Sequence, residues 1–186
     1  MRTSETNSVW QDALAGAVAG WLATVPMTVA MEAMFRRLPR RERYALPPSQ
    51  LTVRVIERGE AGRRLPRRPH TALTLAVHFA IGAVGGAAAG PFVRRLPLPR
   101  PLTGMVAGIG VWATGYLVSL PSLGIIRTTT KWPASRRRLM FVAHLVWGGA
   151  LGLMLAPWYQ RERLQRERDV RTEESGLPGK EMRHAV

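Results

Sequence analysis

The sequence predicts an all-α fold: an integral membrane four-helix bundle with the outline of two helical-hairpin repeats. Three observations carry that expectation. First, the 186-residue chain has 27 Lys+Arg against 12 Asp+Glu, a formal net charge of +15, yet the charges are segregated. Ala13–Met31, Thr71–Val93, Pro101–Ile126 and Leu139–Gln160, of 19, 23, 26 and 22 residues, contain none of them. Second, each stretch is long enough to cross a hydrocarbon layer about 30 Å thick, which takes roughly 20 helical residues. The same four helices in water would need an outer shell, which the remaining charged, Pro-rich residues cannot build. Third, every stretch contains a G-x-x-x-G spacing, which lets two helix backbones approach closely.

Helices are expected over residues 13–35, 71–93, 102–120 and 139–159, within a transmembrane domain of residues 1–160. The first is not read as a cleaved signal peptide. It is longer than a usual apolar signal core, only Arg2 precedes it as a basic residue, and it runs straight into Glu32 and an arginine-rich stretch. Pro26 lies inside it, and the flanking Thr24 and Thr28 are expected to bond the backbone groups that the proline frees. In the long first loop, Leu46-Pro47-Pro48 ends an extended run, and Ser49 can cap a short helix over 49–58 that stops at Gly59. Leu51, Val55 and Arg58 fall at helical spacing, as in a helix lying among lipid headgroups; a solvated basic loop is the alternative. After the fourth helix, Arg161–Arg168 alternates in sign. Glu162–Arg166 and Glu167–Arg171 are spaced as i,i+4 pairs, so residues 161–186 read as a charged helical extension that gives way, from Ser175, to a disordered tail.

Basic residues orient the bundle. The loop over 36–70 holds 11 Arg and the loop over 127–138 holds five Lys+Arg, 16 in all, against 11 at the other end of the helices. The positive-inside rule therefore places both of these loops in the cytoplasm and both termini outside. Trp10, Trp158 and Tyr159 fall at the outer boundary, where aromatic side chains favour the interface. The expected partners are the lipid bilayer itself, with anionic headgroups at the first and third loops, and a second copy of the chain through its small-residue faces. Nucleic acid is not expected, because topology already accounts for the basic residues.

The repeat rests on His78, Gly82 and Gly86 in the second helix and His144, Gly148 and Gly152 in the fourth, the same H-x-x-x-G-x-x-x-G. Gly16 and Gly20 in the first helix, Gly104 and Gly108 in the third, and a further step at Gly90 complete the expected packing stripes. The run Ala143-His144-Leu145-Val146-Trp147-Gly148, followed by a charged helical tail, resembles the end of the YagU-like bacterial inner-membrane proteins. The small-residue run Ala19–Thr28 is compatible with proteins of that kind. The resemblance implies four helices in a bacterial inner membrane. It implies no activity, since the family has none established.

Candidate chemistry is sparse. With no cysteine, disulfides, thiolate metal sites and Cys nucleophiles are excluded. No G-x-S-x-G, Walker A or H-E-x-x-H motif occurs. Glu32, His78 and His144 are the groups near the apolar segments able to change charge, and all three fall in the cytoplasmic half by residue count. With Ser119 and Ser122 they form a candidate polar intramembrane cluster that could relay protons, bind a cation or recognise a headgroup. Against it, Glu32 stands four residues before Arg36, the spacing of a simple ion pair, and buried histidines in membrane helices commonly bond a neighbouring helix. No cofactor and no metal is expected. The reading is a non-enzymatic membrane protein with a structural or interaction role. The alternative is a small transporter or proton-linked permeation pathway through the Glu/His/His cluster, with a lipid-modifying enzyme third.

Overall fold

Within the described residues, the charge-free stretches are helical. The computed structural model describes residues 2–43, 71–115 and 133–175. Among these, α1 spans Arg2–Arg36, α2 Thr71–Arg95, α3 Arg100–Ala113 and α4 Ala134–Ser175, with a single 3-10 turn at Arg40–Glu42. No strand occurs among the described residues. The interfacial helix expected over 49–58, the end of the third helix with Ser119 and Ser122, and the tail beyond Ser175 lie outside them.

The helices form an up-down-up-down bundle. α1 packs along α2, α3 along α4 and α1 along α4, while α2 meets α3 more lightly. The core is a ladder from all four helices, with Ala23, Met27, Val93, Ala107, Leu139, Met140, Trp147 and Leu151 among its buried residues.

Three of the helices, over Val9–Arg36, Ala72–Arg95 and Ala134–Arg171, are long and apolar enough to cross a membrane. Their outward faces fit that setting. Trp10 is 71% exposed, Val18 63%, Val29 65%, Val84 71% and Leu153 62%, exposed apolar side chains carried on α1, α2 and α4. From Asp12 to Arg36 α1 rises about 36 Å, and from Arg138 to Glu162 α4 rises the same, each close to the bilayer thickness. α3 is described over 14 residues, Arg100–Ala113.

Boundaries differ from expectation where charge alone had set them. α1 continues back to Arg2, α4 starts at Ala134 instead of 139, and it runs without a break to Ser175. Pro133 explains the early start: its carbonyl accepts from the backbone N–H groups of Arg136 and Arg137 and opens the first turn. Pro26, Pro91 and Pro157 all stay inside helices. The threonines beside Pro26 do not bond the carbonyl it frees, which is that of Leu22. Thr24 Oγ1 donates to the Gly20 carbonyl at 2.8 Å and Thr28 Oγ1 to the Thr24 carbonyl at 2.7 Å.

Candidate functional site

The glycine stripes meet within each hairpin. A Cβ built on Gly86 would fall on the carbonyl oxygen of Gly16 and 2.7 Å from the Gly20 Cα; one on Gly20 would fall on the Gly82 carbonyl and 2.7 Å from the Gly86 Cα. In the second hairpin, a Cβ on Gly104 would overlap the Gly148 carbonyl and lie 2.9 Å from the Gly152 Cα. Gly90 abuts the Asp12 carbonyl, and Gly108 that of His144. In each pair the backbones touch, which only glycine permits.

The two hairpins repeat one contact pattern, with the glycines of α1 and α3 offset by one turn. Gly82 and Gly86 correspond to Gly148 and Gly152, but the counterpart of Gly20 is Gly104. Gly16 O packs on Gly86 as Arg100 O packs on Gly152, while Thr24 takes the place against Gly82 that Gly108 takes against His144 and Gly148. The backbone contacts choose a register in which Arg100 and Thr24 each stand opposite a glycine.

Of the expected polar cluster, the two histidines are buried and Glu32 is exposed. His78 is 9% exposed and His144 8%. His144 Nδ1 is 2.7 Å from the Met140 carbonyl, which can only accept, so the ring proton sits on Nδ1. His78 Nε2 is buried without a hydrogen-bond partner among the described residues. Nearby, Trp147 Nε1 crosses from α4 to donate to the Gly20 carbonyl at 3.0 Å, joining the two hairpins at mid-bundle. Glu32 is exposed and accepts from Arg36 Nε at 2.8 Å. Among the described residues no group of three or more His, Asp and Glu could hold a metal ion.

An ion cluster that sequence reasoning missed closes the opposite end. Arg94, at the end of α2, donates from Nη1 to Asp12 Oδ1 of α1 at 2.8 Å and through both Nη atoms to the Glu162 carboxylate of α4 at 2.9 Å. The Asp12 side chain is only 3% exposed, against 24% for Arg94 and 23% for Glu162. Arg100, at the start of α3, donates to the carbonyls of Val93 and Arg94, and its guanidinium lies 5.1 Å from the Tyr159 ring centroid. Tyr159 OH in turn donates to the Gly90 carbonyl at 2.8 Å. All four helices are tied together here. Glu162 is thus engaged across the bundle with Arg94, and Glu167 accepts from Arg163 at 2.9 Å. The signal was present in the sequence: Asp12 is the acid immediately before the first charge-free stretch, at the same level as Arg94 and Glu162.

At the other end, the chain leaving α1 folds onto the start of α4. Glu42 accepts from Ser135 Oγ, and Arg136, 1% exposed, donates to the Glu42 carbonyl at 2.8 Å. Arg43 returns to the carbonyls of Arg36 and Leu38. These contacts leave Arg36, Arg37, Arg40, Arg41, Arg137 and Arg138 exposed at one end of the bundle.

Compared with known protein families, curated proteins and solved structures, the chain matches none.

Proposed function

We propose that this is a multi-pass protein of the bacterial inner membrane with a structural or interaction role, a closed bundle that presents an arginine-rich end to the cytoplasm. The observation that carries the reading is the glycine contact within each hairpin. Backbones that touch leave no channel between their helices, and the polar groups nearby are largely engaged with one another or with carbonyl oxygens. Because the same stripes are occupied within the chain, self-association through them would require the hairpins to open. The orientation follows from the basic loops, which begin and end at one extremity, where Glu42 meets Ser135 and Arg136. The kinship with YagU-like proteins belongs to this reading and rests on the Ala143–Gly148 stretch alone.

A second reading, proton-linked permeation, is favoured by one observation: the buried, unpartnered Nε2 of His78. Proteoliposomes carrying an internal pH dye separate the two. The structural reading expects an imposed proton gradient to decay no faster than in protein-free vesicles. A faster decay, abolished by His78→Phe and by His144→Phe, would establish the permeation reading instead.

A further inference from the structure

At the arginine-rich end, one face of α1 is shaped as a groove. Thr28, Glu32 and Arg36 form one row at i,i+4 spacing, and Val29, Ala33 and Arg37 form the adjacent row; together they line it. Val29 and Ala33 are exposed, and the small Ala33 side chain leaves a trough between Val29 and the guanidinium groups. Of the three charges, Glu32 and Arg36 neutralise one another at 2.8 Å. The Arg37 side chain makes no ion pair among the described residues. Its level is set by the helix: the charge-free stretch ends at Met31, so Arg36 and Arg37 lie where the hydrocarbon layer gives way to headgroups.

We propose that this groove is a binding site for one anionic phospholipid, whose headgroup phosphate is held by Arg37 with Arg36 beside it and whose acyl chain lies along Ala33 and Val29. The proposal rests on the membrane reading above. Charge complementarity selects the occupant. Arg40 and Arg41 are exposed at the same end of α1, and the acids described at this end, Glu32 and Glu42, are already engaged. A zwitterionic headgroup would bring its own cation against this field. An arginine fork fits phosphate oxygens in two-point contact, and a neutral trough beneath it fits a chain. Glu32 has a defined part here. By holding Arg36 along the helix, it fixes one guanidinium at the groove rim and leaves the other free.

The test uses the full chain in nanodiscs of phosphatidylcholine doped with phosphatidylglycerol, with retained lipid counted by native mass spectrometry after release. One phosphatidylglycerol should be retained preferentially. Retention should fall about fivefold for Arg37→Gln, the worth of one basic residue near the surface. It should fall comparably for Ala33→Leu, which fills the trough and leaves the charge unchanged. Arg138→Gln, at the same end but off the groove, should retain the lipid as the parent does. If Arg138→Gln weakens retention as much as Arg37→Gln and Ala33→Leu has no effect, the lipid belongs to a diffuse annulus and the site does not exist. A chain that enters the nanodisc yet retains no phosphatidylglycerol overturns the site and leaves the membrane reading standing. Failure to enter the nanodisc overturns both.

Discussion

Replacing an exposed glycine by alanine inside a helix ordinarily stabilises it, because alanine is the better helix former by about 0.8–1.0 kcal/mol. At Gly86 the sign should reverse. The new methyl would meet the Gly16 carbonyl oxygen head on and lie 2.7 Å from the Gly20 Cα. Carbon atoms settle at about 3.5–4.0 Å, so α1 and α2 must part by roughly 1 Å, enough to forfeit a quarter to a half of each contact along the stripe. Overpacking of this kind typically costs about 1–3 kcal/mol. The Trp147 bond to the Gly20 carbonyl lies on the same surface and should weaken as α1 moves. Against the gain in helix propensity, Gly86→Ala should destabilise the bundle by up to about 2 kcal/mol. Gly110 is the matched control, because a Cβ there meets nothing within 4 Å. Gly110→Ala should therefore stabilise by up to about 1 kcal/mol. Both variants can be followed by reversible unfolding in mixed micelles as denaturing detergent is increased. Shifts of opposite sign support backbone contact in the first hairpin. Shifts of the same sign would refute it.

Other consequences can be checked in the same assay. Arg94→Gln strands the buried Asp12 carboxylate and should cost about 3 kcal/mol, while the double variant Asp12→Asn/Arg94→Gln should recover much of that loss; a double-mutant cycle measures the coupling directly. Trp147→Phe removes one buried hydrogen bond between the hairpins and should cost about 1 kcal/mol, and Tyr159→Phe should cost a similar amount through its bond to Gly90. Glu32→Gln, at an exposed pair, should change stability by less than about 0.5 kcal/mol, which would set Glu32 apart from the buried histidines.

The architecture was legible because the membrane imposes it on the sequence. A charge-free run of sufficient length has one economical fate, and glycine spacing marks the faces where helices meet. What the sequence concealed was register. The one-turn offset between hairpins depends on which backbone atoms touch, and Arg100 and Thr24 fill positions that a search for matched glycines passes over. The ion cluster was hidden for a related reason. Asp12, Arg94 and Glu162 are separated by 82 and 68 residues, and each looks like an ordinary boundary charge until the bundle brings them together. The bond from Arg94 to Glu162 was invisible because i,i+4 spacing can be read in a sequence and cross-bundle spacing cannot. Of the candidate cluster, the residue count along a helix suggests depth but does not fix direction. Glu32 turns to Arg36 and away from the core.

The central claim is that the exposed apolar faces of this bundle lie against lipid. Because the chain has no cysteine, single cysteines can be introduced one at a time at Val18, Val29 and Leu153, all more than half exposed, and at Arg40 and Arg163 beyond the two ends. In vesicles, a membrane-impermeant maleimide added to both sides should label the two end positions and spare the three apolar ones until detergent is added. Rapid labelling at Val18, Val29 and Leu153 in intact vesicles would place those faces in water and contradict the account.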